Sequence, residues 1–491
     1  MRIVCKKLCF PAALLSLIVL AQAPAATPAQ TVNPAYARIL DFERTRSLGG
    51  GALAAYTDDP DSAVAARAAL ALGRTRLAGA RPALIHCLAK PAPSVRAMCA
   101  YGLGLIASSL DRATLGPFAN DSEPAVRYAV ADALGRIALA NPAVAGEAAA
   151  DVVLGMATRD GDPVVRGHAA LALGAFAKSP AAAHLPAALA TAFASESDAD
   201  VRGRLMFVLA RDFALAAPAA TLQAGLKDGD PFVRAAAVRA LGRRKNDPSS
   251  AALVRPMLDD SAWQVQFEAR QALLALDGKE RDEHLAAIPA GVHVPALPPS
   301  LGNQSPAPST LPPAPKLSPP PADAVLALPL AVTGSASMRG EPAARAGRPR
   351  VRIVTTKGAV TLALYADWAP YTVANFLSLA RQGYFDGNRW FRIVPDFVVQ
   401  TGDRTNTGEG DAGYTIPGEL NPIEQTSGII SMGLDYDAKS PIDSGGTQFY
   451  LTLSPQYHLD NLFTVFGKVV DGFDVLPNLV VSDTIVRVEI L

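Results

Sequence analysis

The sequence predicts two folded units of different class: an α-solenoid of repeated helical hairpins, then a closed β-barrel with one or two covering helices. Three observations predict this. A Val…Leu pair recurs between residues 64 and 273 at near-constant spacing. A proline-rich stretch then interrupts every periodicity. Beyond Arg350, short alternating segments separated by glycine turns take over. At 491 residues the chain has room for about three or four domains. Half of it is apolar and 18% is charged, which excludes a wholly disordered chain. Lysine plus arginine equals aspartate plus glutamate at 45 each, so nothing supports nucleic acid or an anionic membrane as the main partner. Four cysteines without a CxxC pair exclude a disulfide-dense scaffold and give no zinc signature.

The first element is an export signal. Arg2, Lys6 and Lys7 precede an apolar core from Leu8 to Leu20, and Ala21-Gln22-Ala23 follows as a small-x-small cleavage site. A signal peptide over residues 1–23 is therefore expected, with cleavage after Ala23. The core is short for a membrane span, so no stable span is expected after cleavage; an uncleaved anchor is the alternative. Export, to the periplasm or elsewhere, would leave Cys87 and Cys99 in an oxidising compartment. They lie on neighbouring predicted helices. A disulfide between them is open, and two small buried core residues is the preferred reading.

Residues 24–287 are assigned to the repeat array. Val64, Val95, Val126, Val165, Val201, Val233 and Val265 are each followed eight positions on by a leucine, from Leu72 to Leu273. Glycine comes next at Gly73, Gly104, Gly135, Gly174 and Gly242. Each unit reads as two helices, the second opening on an acid three residues before the valine, as at Asp61, Glu123, Asp162, Asp198 and Asp230. An aspartate cap with proline at the first helical position satisfies orphan amides and presets φ. Arginine follows the valine at Arg96, Arg127, Arg166, Arg202 and Arg234, which suggests an acid–arginine pair four apart, such as Asp162 with Arg166. One hairpin cannot bury its apolar stripe alone, whereas stacked hairpins can. The Asp-x-Asp-Pro-x-Val-Arg run at 160–166, echoed at 228–234, resembles the short class of HEAT-like repeats. That resemblance implies protein partners along one face, not catalysis. His86 and His168 fall inside predicted helices with no ligand partner at metal spacing and read as structural.

Residues 288–347 read as a linker. Eleven prolines between 295 and 321 favour extended polyproline II. Ala324 to Val332 is an apolar island, either a fluctuating segment or a docking clip. The two folded units are expected to tumble semi-independently, with proteolysis inside the linker leaving two fragments.

Residues 348–491 carry the chemistry. Val351–Thr355 and Val360–Tyr365 alternate like strands around a Lys357-Gly358 turn, and Ala369-Pro370-Tyr371-Thr372 opens a helix stopped by Gly383. Five segments then resemble the cyclophilins in their order along the chain. These are the helix with Gly383-Tyr384-Phe385-Asp386-Gly387, the strand from Trp390 to Asp403, Gly428-Ile429-Ile430-Ser431-Met432-Gly433, Gly446-Thr447-Gln448-Phe449-Tyr450-Leu451, and His458-Leu459-Asp460 with Thr464 to Val469. The resemblance implies a peptidyl-prolyl cis/trans isomerase acting on proline-containing polypeptides, with no cofactor and no metal. It implies that Arg392 donates toward the prolyl nitrogen, with Gln400 and Gln448 holding the peptide and orienting the arginine. Phe397, Val398, Tyr450, Leu459 and Phe463 match the proline pocket, with Phe449 the alternative to Tyr450. His458 stands where the best-known members have the tryptophan that binds cyclosporin. Phe391 replaces the usual histidine, Val398 the usual methionine, and the loop from Leu434 to Gly445 is longer than common, with Asp435, Asp437 and Asp443 in it. The three acids lack the glycine and terminal glutamate of an EF-hand loop. The leading function is an exported prolyl isomerase whose repeats bind clients or partners. The alternative is a scaffold whose cyclophilin-like domain binds proline peptides with little turnover.

Overall fold

The computed structural model describes residues 33–245, 247–279, 311, 317–330, 347–481 and 483–491. The proposed signal segment lies outside them, as does much of the linker. Helix α1 (Pro34–Arg44) leads into seven stacked second helices: α2 (Ser62–Thr75), α3 (Pro93–Ile106), α4 (Pro124–Ala140), α5 (Pro163–Leu173), α6 (Ala199–Asp212), α7 (Pro231–Gly242) and α8 (Trp263–Leu276). Shorter helices such as Arg81–Cys87 and Pro248–Val254 pack outside this row. All seven anchor valines are buried, which is the apolar stripe the spacing predicted. The following glycine has a steric reason. A Cβ on Gly73 would lie 2.4 Å from Gly102 Cα, and one on Gly242 2.6 Å from Ala272 Cβ, so neighbouring second helices touch backbone to backbone.

Four of the acids cap as expected, Asp61, Asp162, Asp198 and Asp230 accepting backbone N–H bonds in the first turn, whereas Glu123 stands at the cap position of α4 without a side-chain cap bond. The arginine does not pair four residues back. Arg166 reaches Glu196 of the next unit with bonds of 2.8 and 3.0 Å. Arg96 likewise reaches Asp121, Arg127 Asp160, Arg202 Asp228 and Arg234 Asp260. Each receiving acid also accepts the N–H two residues on, as Asp160 does from Asp162. The first acid of the motif therefore binds two units together, while the second caps its own helix. Cys87 and Cys99 are joined, their Cα atoms 6.0 Å apart, within ordinary disulfide reach. This corrects the preference for two unpaired core thiols: the outer and inner helices of one hairpin bring the side chains together.

The C-terminal unit is one antiparallel sheet curled on itself. Its strands are β1 (Arg350–Thr355), β2 (Gly358–Leu364), β3 (Arg392–Val394), β4 (Val398–Thr401), β5 (Ile429–Met432), β6 (Phe449–Thr452), β7 (Val465–Asp471) and β8 (Ile485–Ile490). They lie in the order β3-β4-β6-β5-β7-β2-β1-β8. The free edges meet where Gly387, Asn388 and Trp390 exchange backbone bonds with Asp483 and Ile485. Between these elements in sequence, α9 (Ala322–Leu326) belongs to the linker and α10 (Pro370–Arg381) covers the sheet. The start of the apolar island lies in α9, and Val325 and Leu330 are buried; residues 331–332 of the island lie outside the described residues.

The two units do not stand apart. The barrel rests on the exposed face of the second-helix row, and Trp368, Tyr371, Leu420, Ile423 and Tyr457 share one apolar core with the repeats. Arg74, bonded to Glu43 at 2.6 Å, also donates to the carbonyls of Leu420 and Trp368 at 2.7 and 2.8 Å. Further along, Glu424 of the barrel accepts from Arg204 at 2.5 Å and meets His168 Nδ1 at 2.9 Å, while Asn461 donates to Asp132 at 2.7 Å. The tyrosine hydroxyl of Tyr128 donates to the Pro422 carbonyl at 3.0 Å. The expectation of semi-independent tumbling is overturned. The residues that hold the units together look like ordinary helix positions until the second unit supplies their partners.

Candidate active site

Strand register brings the polar residues into one row. Arg392 on β3 sits opposite Gln400 on β4, and Gln400 opposite Tyr450 on β6. Arg392 Nη1 donates to Gln400 Oε1 at 3.4 Å, and Gln400 Nε2 to Gln448 Oε1 at 3.1 Å. Gln448 Nε2 in turn donates to the carbonyls of Gly408 and Gly410. Those carbonyls are fixed by buried Asp403, which accepts from the N–H groups of Thr405, Thr407 and Gly408. Burial pushes the Asp403 carboxyl up, but the hydroxyl of Thr405, and then these N–H bonds, hold it below its ordinary value, so it stays ionised. The row thus runs from a rigid turn to an exposed guanidinium.

Beside it lies an apolar cup. Val398, Tyr450 and Phe463 form a small cluster apart from the barrel core, with Phe397, Leu434 and Leu459 packed against it. Of the two adjacent aromatics, Phe449 lies in the barrel core and Tyr450 in the cup. The Tyr450 hydroxyl accepts from Gln425 Nε2 at 3.1 Å, and burial keeps it neutral. Phe463 meets Tyr450 edge-on at 5.4 Å, and the guanidinium carbon of Arg392 lies 5.5 Å from the Phe397 ring centre. His458 stands behind Phe397, stacked on it at 5.7 Å. Its other neighbour is Phe207 of α6, stacked at 6.5 Å. Burial, then the charges of Arg211 and Arg239, push the imidazole down to about 4, so it is neutral.

All nine residues named from sequence therefore converge, His458 at the rim. Sequence reasoning missed Gln425, Leu434, Asp403 and Tyr436, whose ring meets Phe463 edge-on at 6.1 Å. Asp403 had a local signal in its run of turn-forming Thr and Gly; Phe207 had none. In the long loop, Asp443 accepts from Arg46 of the repeats and from the Gly418 N–H, anchoring the loop, whereas Asp435 and Asp437 are exposed.

The site is thus an apolar cup with the Arg392 guanidinium at its lip, inside a curled antiparallel sheet. Comparison with known proteins gives the class its name. Residues 350–489 match the model of the cyclophilin type peptidyl-prolyl cis-trans isomerase/CLD, and 51–115, 90–174, 113–193 and 185–274 match HEAT repeats. The chain is 43% identical over 130 residues to peptidyl-prolyl cis-trans isomerase B of Bacillus subtilis, covering 26% of this chain and 87% of that protein. It is 39% identical over 137 residues to peptidyl-prolyl cis-trans isomerase-like 1 of Rhizopus delemar, covering 27% of this chain and 80% of that one. A Cryptosporidium parvum cyclophilin structure aligns at 29% identity and TM-score 0.28, over 29% of this chain and 98% of its own. The chain belongs to the cyclophilin-type peptidyl-prolyl cis-trans isomerases, and its isomerase domain is joined to a HEAT-repeat module.

Proposed function

We propose that the chain is an exported isomerase that catalyses rotation about X–Pro bonds of polypeptides during their folding, with Arg392 as its catalytic donor. Rotation must break amide resonance across a barrier of about 18–20 kcal/mol, and uncatalysed exchange takes tens to hundreds of seconds. The site need only bind the twisted amide better than either planar isomer. The proline ring enters the cup of Phe397, Val398, Tyr450, Leu459 and Phe463. Arg392 donates to the prolyl nitrogen as twisting frees its lone pair. Gln400 and Gln448 keep the guanidinium aimed and hold the peptide carbonyl. The observation that carries this reading is the hydrogen-bonded row Arg392–Gln400–Gln448 beside an apolar cup. Phe391 and Val398 alter the flank and floor, which trims substrate range rather than the row.

Export is supported by the N-terminal pattern and by the Cys87–Cys99 disulfide, which suits an oxidising compartment. The repeat module is proposed to bring clients to the site. A protease-coupled proline-peptide assay on the full chain tests the reading. Arg392→Ala should lower kcat/KM by about 10²–10³, the usual cost of one preorganised donor. Equal rates for the two proteins would remove the proposed role of Arg392.

A further inference from the structure

The long loop between β5 and β6 carries an aromatic ring to the lip of the cup and leaves it in water. Tyr436 is 69% exposed. Its ring meets Phe463 edge-on at 6.1 Å, as Phe463 meets Tyr450 at 5.4 Å. The aromatic wall of the cup therefore continues outward in the order Tyr450, Phe463, Tyr436. The hydroxyl end lies toward the polar row. Burial pushes the Tyr436 hydroxyl up, and the nearby Arg392 charge offsets part of this; the same hydroxyl is felt at that of Tyr450. Tyr436 thus stands at the mouth, with Phe463 on one side and Arg392 within electrostatic reach.

The loop holds the ring there. The Asp435 N–H donates to Ser444 Oγ at 2.8 Å, which closes the base of the loop. The Asp437 N–H donates to the Asp435 carboxylate at 2.9 Å, which makes a tight turn with Tyr436 at its tip. At the far end Asp443 is fixed by the Gly418 N–H and by Arg46 of the repeats. No single sign of charge surrounds the ring: exposed Asp435 and Asp437 flank it in the chain, and Arg392 lies across the mouth. What the ring offers a neighbouring side chain is apolar area on a fixed support.

We propose that Tyr436 is a specificity-determining residue of the isomerase site, packing on an aromatic or large apolar side chain next to the substrate proline. This rests on the isomerase reading and extends it from the proline to its neighbour. A chain with its proline in the cup must leave past the lip on which Tyr436 stands, so the flanking side chain comes within reach of the ring. Covering the ring removes apolar surface of both partners from water, and an aromatic pair adds its own edge or stacking contact.

The test measures cis/trans exchange of proline peptides by the full chain, with Phe, Leu, Gln, Lys or Glu placed directly before or directly after the proline. At one of the two positions at least, Phe should raise kcat/KM about 3- to 10-fold over Gln, with Leu between them. The ratio should hold as salt is raised, since no charge carries it. In Tyr436→Ala the Phe-to-Gln ratio should fall to near one, and in Tyr436→Phe, which keeps the ring, it should stay. A wild-type ratio near one at both positions overturns the proposal without any variant. So does a preference that survives undiminished in Tyr436→Ala. A preference for Lys or Glu over Phe that fades with salt also overturns it, because charge and not the ring would then read the neighbour. If instead no peptide is turned over faster than by Arg392→Ala, the isomerase reading itself fails, an outcome distinct from these.

Discussion

At the scale of the residue, Arg392 and Gln400 were legible because they lie eight positions apart around a tight turn, so local register alone sets them opposite each other. Alternation on β6 likewise separates Tyr450, in the cup, from Phe449, in the core. The surroundings of His458 were not legible, because Phe207 arrives from more than two hundred residues away. Phe207 alters the consequence of the missing tryptophan. Imidazole loses a hydrogen bond and apolar contact to cyclosporin, costing about 2–4 kcal/mol or roughly 30- to 1000-fold in affinity. Wild-type activity should therefore be poorly inhibited, and submicromolar inhibition would contradict this. The larger indole of His458→Trp would crowd Phe207 in the full chain. Sensitivity should return more fully in His458→Trp/Phe207→Ala than in His458→Trp alone, as read from inhibition curves of the two proteins.

At the scale of the element, the repeat helices were legible from valine spacing, aspartate caps and proline at the first turn. What the spacing could not show is which acid the arginine chooses, because an i,i+4 acid and the next unit's acid are both within its reach until the stacking distance is known. In Asp-x-Asp-Pro-x-Val-Arg the two acids consequently do different work. In the 228–234 run, Asp230→Ala should cost about 1 kcal/mol, the worth of a cap. Asp228→Ala should cost more, about 2–3 kcal/mol, since it breaks two charge-assisted bonds from Arg202 and the N–H bond of Asp230. Urea unfolding followed by far-UV circular dichroism would rank them, and an equal or reversed ranking would argue against the inter-unit ladder. The disulfide belongs to this scale also. Its ends are 12 residues apart, so closing that loop in the unfolded chain is worth about 3 kcal/mol. Thiol titration of the unreduced protein should find neither Cys87 nor Cys99, and reduction should lower the unfolding midpoint.

At the scale of the whole molecule, the docking of barrel on repeats combines a shared apolar core with a cluster of ionisable groups, and the cluster gives it a pH dependence. His168 is surrounded by Asp132, Glu424 and the Tyr128 ring, with Arg204 and Asp460 on the far side of Glu424. Burial pushes its imidazole down, but the two carboxylates overcome this and raise it to about 9. A raised histidine stabilises fully below its ordinary value near 6.5, and that contribution is lost as pH rises through about 9. Asp132 and Glu424, each held at about 2 against the pull of burial by arginine and His168, contribute above the ordinary carboxylate range and fail only in strong acid. Asp460 is raised by burial first and then by the charge of Glu424, so keeping it protonated costs more as pH increases. The Asp460 effect has the same sign but sets in from the ordinary carboxylate range. The window from about pH 6.5 to 9 therefore belongs to His168, and docking should loosen across it by up to about 3 kcal/mol at 1.36 kcal/mol per pH unit. A chain nicked in the linker should still elute as one species near pH 6 and separate by pH 9. Glu424→Gln, which leaves Arg204 and His168 facing a neutral amide, should separate already at pH 6. Co-elution of the nicked wild type at both pH values would show that the apolar contacts of Trp368, Tyr371, Leu420 and Ile423 hold the barrel without the ion cluster.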